Sequence, residues 1–467
     1  MIRLTAVAVA GLVLTGCASF SQDGGFDSVD KLTKDRIGQS PSYQRSADQA
    51  DSAATRVAEL LKQPLTADAA VEVALLNNKE LQASYADLGI AEADLVRAGR
   101  LSNPSFTFGR LSGNGVVEID RAVVFNVLGL LTMPLAKQVE QRRFEQGQLQ
   151  AAYESVGAAA DARKAFFEAV AAQQLVGYYA QVKAAADASN DLAKRMVLAG
   201  NFSKLAQMRE QSFYSDAVTN LAKAQHQAVA AREVLVRALG LSGSQLADLR
   251  LPDRLPDLPA APAEPKDAEQ TAMDKRLDVL MAKRSTEATA KSLGLSKATR
   301  FVNVLHVGYQ NKSATGEALS QGYEIELELP IFDFGSARVA RAEATYMQSM
   351  NRTAAVAIKA RSEVRESYSA YRTSYDVAKH FRDEVVPLRK RISEENLLRY
   401  NGMLASVFDL LSDSKDQVTG VVGAVEALRD YWVAETNLQT AVTGRSPSGG
   451  RGVGAAKATE SSQSGGH

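Results

Sequence analysis

Apolar positions along the chain follow two different periods. Between Leu65 and Arg100, Leu75, Leu81, Leu88 and Leu95 recur at the spacing of one helix face, and Thr66 stands where an N-cap would. Asn103-Pro104 ends that pattern. Ser105 to Arg110 and Val117 to Leu128 then read as strands around the turn Ser112-Gly113-Asn114-Gly115, which predicts a β-hairpin. From Leu135 to Ala199 there is no proline, and the run predicts one helix of about 65 residues. Gly200-Asn201 breaks it, and a shorter helix follows to Leu239.

The same order then repeats. A helix is predicted from Asp267 to Ser296, and strands from Phe301 to Gln310 and Gly322 to Phe332 around Thr315-Gly316. A long helix runs from Ser336 to Tyr400, and a last helix from Ser406 to Val442. Shifting one half by about 203 residues lays Ala231 on Ala434, Leu235 on Leu438 and Ala238 on Ala441. Pro252, Pro256, Pro259, Pro262 and Pro265 cannot continue a helix, so the halves are separated there. Each long helix would span about 97 Å. The two shorter helices of a half sum to nearly that, which predicts two short helices stacked end to end beside a long one.

Composition narrows the class. The chain has 467 residues, 45% hydrophobic, with 54 basic and 54 acidic side chains. That balance is a folded one without the basic excess of a nucleic-acid binder. Met1-Ile2-Arg3 and the apolar stretch Leu4 to Leu14 form a leader too short to span a bilayer. Leu14-Thr15-Gly16-Cys17 resembles the bacterial lipoprotein signal, with Cys17 as the acylated residue and as the sole cysteine. Ala18 in place of an aspartate retention signal directs the lipoprotein to the outer membrane. Beyond the leader no apolar run of ~18 residues occurs, so a membrane could be crossed only by strands of a closed barrel. The expected organisation is therefore a signal peptide (1–16), a lipid-anchored, irregular tether (17–60), a first repeat (61–243), the Pro-rich linker (244–266), a second repeat (267–443) and a disordered Gly/Ser-rich tail (444–467).

Several local signatures, in this order, resemble the TolC family of outer-membrane factors over about residues 60–443. They are Asn103-Pro104 before the first strand, Leu329-Pro330-Ile331-Phe332-Asp333-Phe334-Gly335 before the second long helix, and Arg399-Tyr400-Asn401-Gly402 followed by Val407-Phe408-Asp409-Leu410-Leu411. Leu192-Ala193-Lys194-Arg195 with Ala199-Gly200-Asn201 is the first-half counterpart. The resemblance implies a mostly helical α+β fold of long coiled-coil helices with two β-hairpins per protomer. Three protomers would form a 12-strand outer-membrane barrel and a periplasmic α-helical tunnel. It also implies a gate at the helix tips, where Tyr400 and the carboxylates Asp409, Asp413 or both would line the periplasmic entrance. The family's second gate aspartate falls on Ser412, beside Asp413, and its tip glycine falls on Met403, beside Gly402. An adaptor would dock at the tips, around Gly200, Asn201, Gly402 and Met403.

The last predicted strand carries the clearest chemistry. Tyr323, Ile325, Leu327, Leu329 and Ile331 alternate with Glu324, Glu326 and Glu328, so the three carboxylates share one face. In a barrel the apolar face meets lipid and the acidic face the lumen, where it would favour cations. A surface strand of a soluble sandwich would show the same alternation.

Enzymatic signals are weak. Ser412-Asp413-Ser414-Lys415 contains Ser-x-x-Lys without its companion motifs, the four histidines have no metal-ligand spacing, and no Walker loop is present. Trp432 reads as packing. No enzyme activity, cofactor, metal or nucleic acid is expected. The expected function is the passive exit duct of a tripartite efflux system for drugs or metal ions. Its partners would be two further copies, outer-membrane lipid, a periplasmic adaptor and an inner-membrane pump of the RND type. The alternatives are the outer-membrane component of a type I protein secretion system and a non-pore structural coiled-coil lipoprotein.

Overall fold

The computed structural model describes residues 19–301, 304–328, 332–405 and 407–447, with side chains throughout except at 407–409, 411, 412, 414 and 415. Cys17, Leu329, Ile331 and the tail from 448 lie outside the described residues. The chain divides into two units. One holds the residues up to Glu59 with Glu72–Ala158 and Val279–Ile358; the other holds Leu60–Val71, Ala159–Asp278 and the chain from Lys359.

In the first unit, the stretch expected to be an irregular tether contains helices α1 (Phe26–Ile37) and α2 (Ala47–Leu61). Val29 and Val57 are buried. Phe26, Tyr43 and Tyr85 meet ring against ring, with Phe26 and Tyr85 centroids 4.9 Å apart. The Ser21 backbone N–H and hydroxyl both donate to Glu92 Oε1, at 2.6 and 2.5 Å. Buried valines, the ring cluster and the Ser21–Glu92 hydrogen bonds together hold this segment in place.

The helix expected from Leu65 to Arg100 is two helices, α3 (Ala67–Asn77) and α4 (Lys79–Ala98). Asn78 divides them: its Oδ1 accepts the backbone N–H of Glu80 and Leu81 at 3.0 and 3.1 Å, capping α4. Leucine periodicity continues across the break, which is why periodicity alone missed it.

Strands β1 (Ser105–Gly113) and β2 (Val116–Asn126) follow. Helix α5 (Val127–Leu198) then starts earlier than Leu135 and runs through Pro134. Its first turn is capped by Asn126, whose Oδ1 accepts the Gly129 N–H at 2.7 Å. Helix α6 (Lys204–Leu239) and the short α7 (Gln245–Asp248) close the first half.

The second half repeats the break. Helices α8 (Ala268–Lys275) and α9 (Leu277–Ala298) flank Arg276, then come β3 (Leu305–Ala314) and β4 (Ser320–Leu327). The four strands make one antiparallel sheet in the order β1-β2-β3-β4. The repeat therefore builds the sheet, since the pairing of β2 with β3 joins one hairpin from each half. Strands β1 and β4 are its two edges.

The second long helix is interrupted. Helix α10 (Ser336–His380) passes through a π-helical turn, Phe381–Val385, into α11 (Val386–Asn401), and α12 (Val407–Thr443) returns. Pro387 lacks the N–H that would close the regular ladder at this point, and the wider turn absorbs the deficit.

In the second unit, Tyr371, Tyr375, Tyr431 and Leu438 form a core that Leu258 of the Pro-rich linker joins. The linker is pinned by polar groups of the same core. Tyr375 Oη donates to the Ala260 carbonyl at 2.8 Å, and Trp432 Nε1 to the Pro256 carbonyl at 3.1 Å. Trp432 also stacks on Phe167, as a packing residue would. The Arg276 side chain is 1% exposed and is held by Asp278 (Nε to Oδ1, 2.8 Å), by Glu363 and by the Ala360 and Ala441 carbonyls. The Ser446 hydroxyl donates to the other Glu363 oxygen at 2.5 Å. Burial alone would raise the Glu363 carboxyl; the Ser446 hydroxyl and the Arg276 guanidinium outweigh it and hold the group below the usual carboxylate range.

Candidate functional site

The strand register sorts the sheet into two faces. Phe106, Val123, Tyr309 and Tyr323 share one rung, and Phe125, Val307 and Ile325 the next. Period-two alternation puts Phe108 and Leu327 on the same face. Nearly all of these side chains are exposed, Tyr323 at 83%. A contiguous exposed apolar face of this kind is uncommon on a protein surrounded by water. At the hairpin-tip end of this face, Arg121 Nη1 donates to Asn311 Oδ1 at 3.2 Å, so the apolar band gives way to polar side chains there.

The opposite face is polar. Glu324 and Glu326 stand on it together, as the sequence predicts, and the register adds residues that sequence spacing did not reveal. Glu326 pairs with His306 (Oε2 to Nδ1, 2.9 Å), and Glu324 accepts from Gln310 Nε2 at 2.8 Å. Nearer the hairpin tips, Lys312 Nζ lies 2.5 Å from Glu118 and 3.7 Å from Asp120. Glu328 lies one residue beyond β4, its backbone N–H donating to the Val304 carbonyl at 3.4 Å.

The hairpin base turns into α10 at Gly335. Its φ is +72°, and a Cβ there would sit 2.6 Å from the Arg300 carbonyl oxygen, so both the backbone angle and the space demand glycine. Asp333 Oδ1 accepts the Gly335 N–H at 2.8 Å. The Asp and Gly of the sequence signature thus make one turn.

The helix tips lie in the second unit. At the end of α5, Gly200 adopts φ +76° and Asn201 N–H reaches back to the Met196 carbonyl at 2.9 Å. At the end of α11, Met403 adopts φ +61° and Leu404 N–H reaches the Arg399 carbonyl at 2.8 Å. These are two copies of one Schellman-type cap, 203 positions apart, with glycine at the left-handed position in one and methionine in the other. Gly402, by contrast, has φ −78°. Leu198, Met403 and Leu404 are exposed at 87%, 93% and 76%.

Tyr400 lies in the last turn of α11, moderately exposed. The Asp409 backbone belongs to α12, and its side chain is outside the described residues. Asp413 is buried, and its Oδ2 has no hydrogen-bond partner among the described residues. Among the described residues no group of three or more His, Cys, Asp or Glu is placed to hold a metal ion, and no helix is long and apolar enough to cross a membrane.

No family model and no curated protein matches the sequence. Solved structures do. A membrane protein from Pseudomonas aeruginosa superposes with a TM-score of 0.69 at 17% identity, covering 87% of this chain and 97% of its own. The CmeC outer-membrane channel of Campylobacter jejuni gives 0.66 at 13% identity, over 90% of this chain and 92% of its own. The outer-membrane protein VceC of Vibrio cholerae gives 0.64 at 15%, over 81% and 96%. The chain therefore has the fold of the outer-membrane factors, the TolC-like channels that its sequence signatures resemble.

Proposed function

We propose that this chain is the lipid-anchored outer-membrane exit duct of a tripartite efflux system, and that it is not an enzyme. The observation that carries the reading is the four-stranded sheet, with an exposed apolar face, a charged face and two open edges. An open edge exposes a row of unpaired backbone groups, which lipid cannot satisfy. Closure with two further copies, β4 of one against β1 of the next, removes every edge. It makes a 12-strand barrel with the apolar face toward lipid and Glu324, Glu326, Glu118 and Asp120 toward the lumen.

The helices then extend into the periplasm as a tunnel, and Cys17 carries the lipid. Their tips present Leu198, Met403 and Leu404 to an adaptor, which couples the duct to an inner-membrane pump of the RND type. Tyr400 and Asp409 line the entrance gate, and Asp413 supports it from its buried position. Transport through the duct is passive, and drugs or metal ions are the substrates. A purely structural coiled-coil lipoprotein has no use for such a sheet.

Fractionation tests the reading. Heat-resistant trimers with β-sheet signal in outer-membrane fractions are expected. A water-soluble monomer would refute it.

A further inference from the structure

We infer that His306 makes the ion preference of the duct depend on pH, by offsetting the fixed charge of Glu324 and Glu326. The inference rests on the duct reading.

The polar face carries its charge in two bands. Toward the hairpin tips, Lys312 sits between Glu118 and Asp120 and offsets part of their charge at every pH at which all three are ionised. Toward the helix end, Glu326 meets His306 and Glu324 the neutral amide of Gln310. Between the bands runs an uncharged rung of Ala122, Gln310 and Gly322. The contribution of β1 to this face, Ser105, Thr107, Gly109 and Leu111, has no charge. Glu328, just beyond β4, adds a carboxylate at the helix end.

Imidazole is the side chain whose charge changes between pH 5 and 8, whereas free carboxylates and lysine titrate well outside that window. On the polar face of the described strands, His306 is the imidazole. It stands at hydrogen-bond distance from Glu326, on the same surface as the charge it offsets. At alkaline pH the glutamates act on passing ions unopposed. Protonation of His306 cancels one of their charges in each copy. Ions that pass within a Debye length, about 8 Å at physiological salt, respond to that change directly. The duct would then favour cations more strongly at pH 8 than at pH 5.5, with Lys312 setting a pH-independent offset.

The test uses full-length protein purified from outer membranes, with reversal potentials in planar bilayers under a potassium chloride gradient. The potassium-over-chloride permeability ratio is expected to fall roughly twofold or more from pH 8 to pH 5.5. His306→Gln should flatten that dependence, with His306→Asn as the substitute should the first variant not assemble. Glu326→Gln should lower the ratio at pH 8, and Lys312→Gln should raise it at both pH values while keeping the pH slope. A wild-type ratio that stays constant over this range, or a pH slope that survives loss of His306, would overturn the inference while leaving the duct standing. Absence of any conductance would instead overturn the duct reading, and the inference with it.

Discussion

Met403 occupies a backbone conformation that glycine adopts freely, and Gly200 holds the equivalent place in the other half. A side chain in the left-handed region costs roughly 1–2 kcal/mol. Met403→Gly is therefore expected to stabilise the protein by about 1 kcal/mol, and Gly200→Met to destabilise it by a similar amount, both read as shifts in denaturant midpoint. An exposed methionine at a strained position fits a tip that makes contacts, and loss of export in the more stable Met403→Gly variant would tie the side chain to docking. Arg276 gives the opposite case. Its loss would take the guanidinium away from the largely buried Glu363 carboxylate, so Arg276→Met should cost about 3–5 kcal/mol. Glu363 titrates lower in the fold than when unfolded, so its contribution is complete above the unfolded value, near 4.3, and is lost as pH falls through the lower folded value. Melting temperature should accordingly fall more steeply below pH 4 in the wild type than in Glu363→Gln. Neither feature was open to inspection of the sequence alone. The Arg276–Glu363 contact joins residues 87 apart, and His306 reaches Glu326 only through strand register.

At the scale of elements, alternation and turn chemistry located both hairpins, because period two and glycine-rich turns are local signals. Boundaries fared worse where a side chain rather than a pattern sets them. Asn78 caps a helix within an unbroken leucine stripe, and Asn126 starts α5 before Pro134. The segment after the leader is polar in sequence yet folds as α1 and α2, since Phe26 and Tyr43 bring it onto Tyr85. The π-helical turn at Phe381–Val385 has a packing consequence. A Cβ on Gly423 would lie 2.7 Å from the Phe381 ring, so Gly423→Ala must displace that ring. Overpacking of this kind costs about 1–3 kcal/mol, and Phe381→Leu in the same chain should recover part of the loss in thermal unfolding.

For the whole molecule, the fold was the most legible property, because a duplicated order of helix, hairpin, long helix and helix restricts the architecture more than any motif does. The site was legible only by half. The glutamates of β4 announced their common face, while the histidine that meets Glu326 and the lysine that meets Glu118 and Asp120 both lie on β3. The central claim is that three copies close the sheet into a barrel, and a disulfide scan across the open edges tests it. Within one sheet β1 and β4 are three strand spacings apart, about 14 Å. A disulfide requires Cα atoms within about 7 Å. Thr107→Cys combined in turn with Gly322→Cys, Glu324→Cys and Glu326→Cys, in otherwise native protein, should give a register-dependent ladder that ends at a covalent trimer on non-reducing gels. Monomer at every pairing, or a ladder running past three, would contradict the closed barrel.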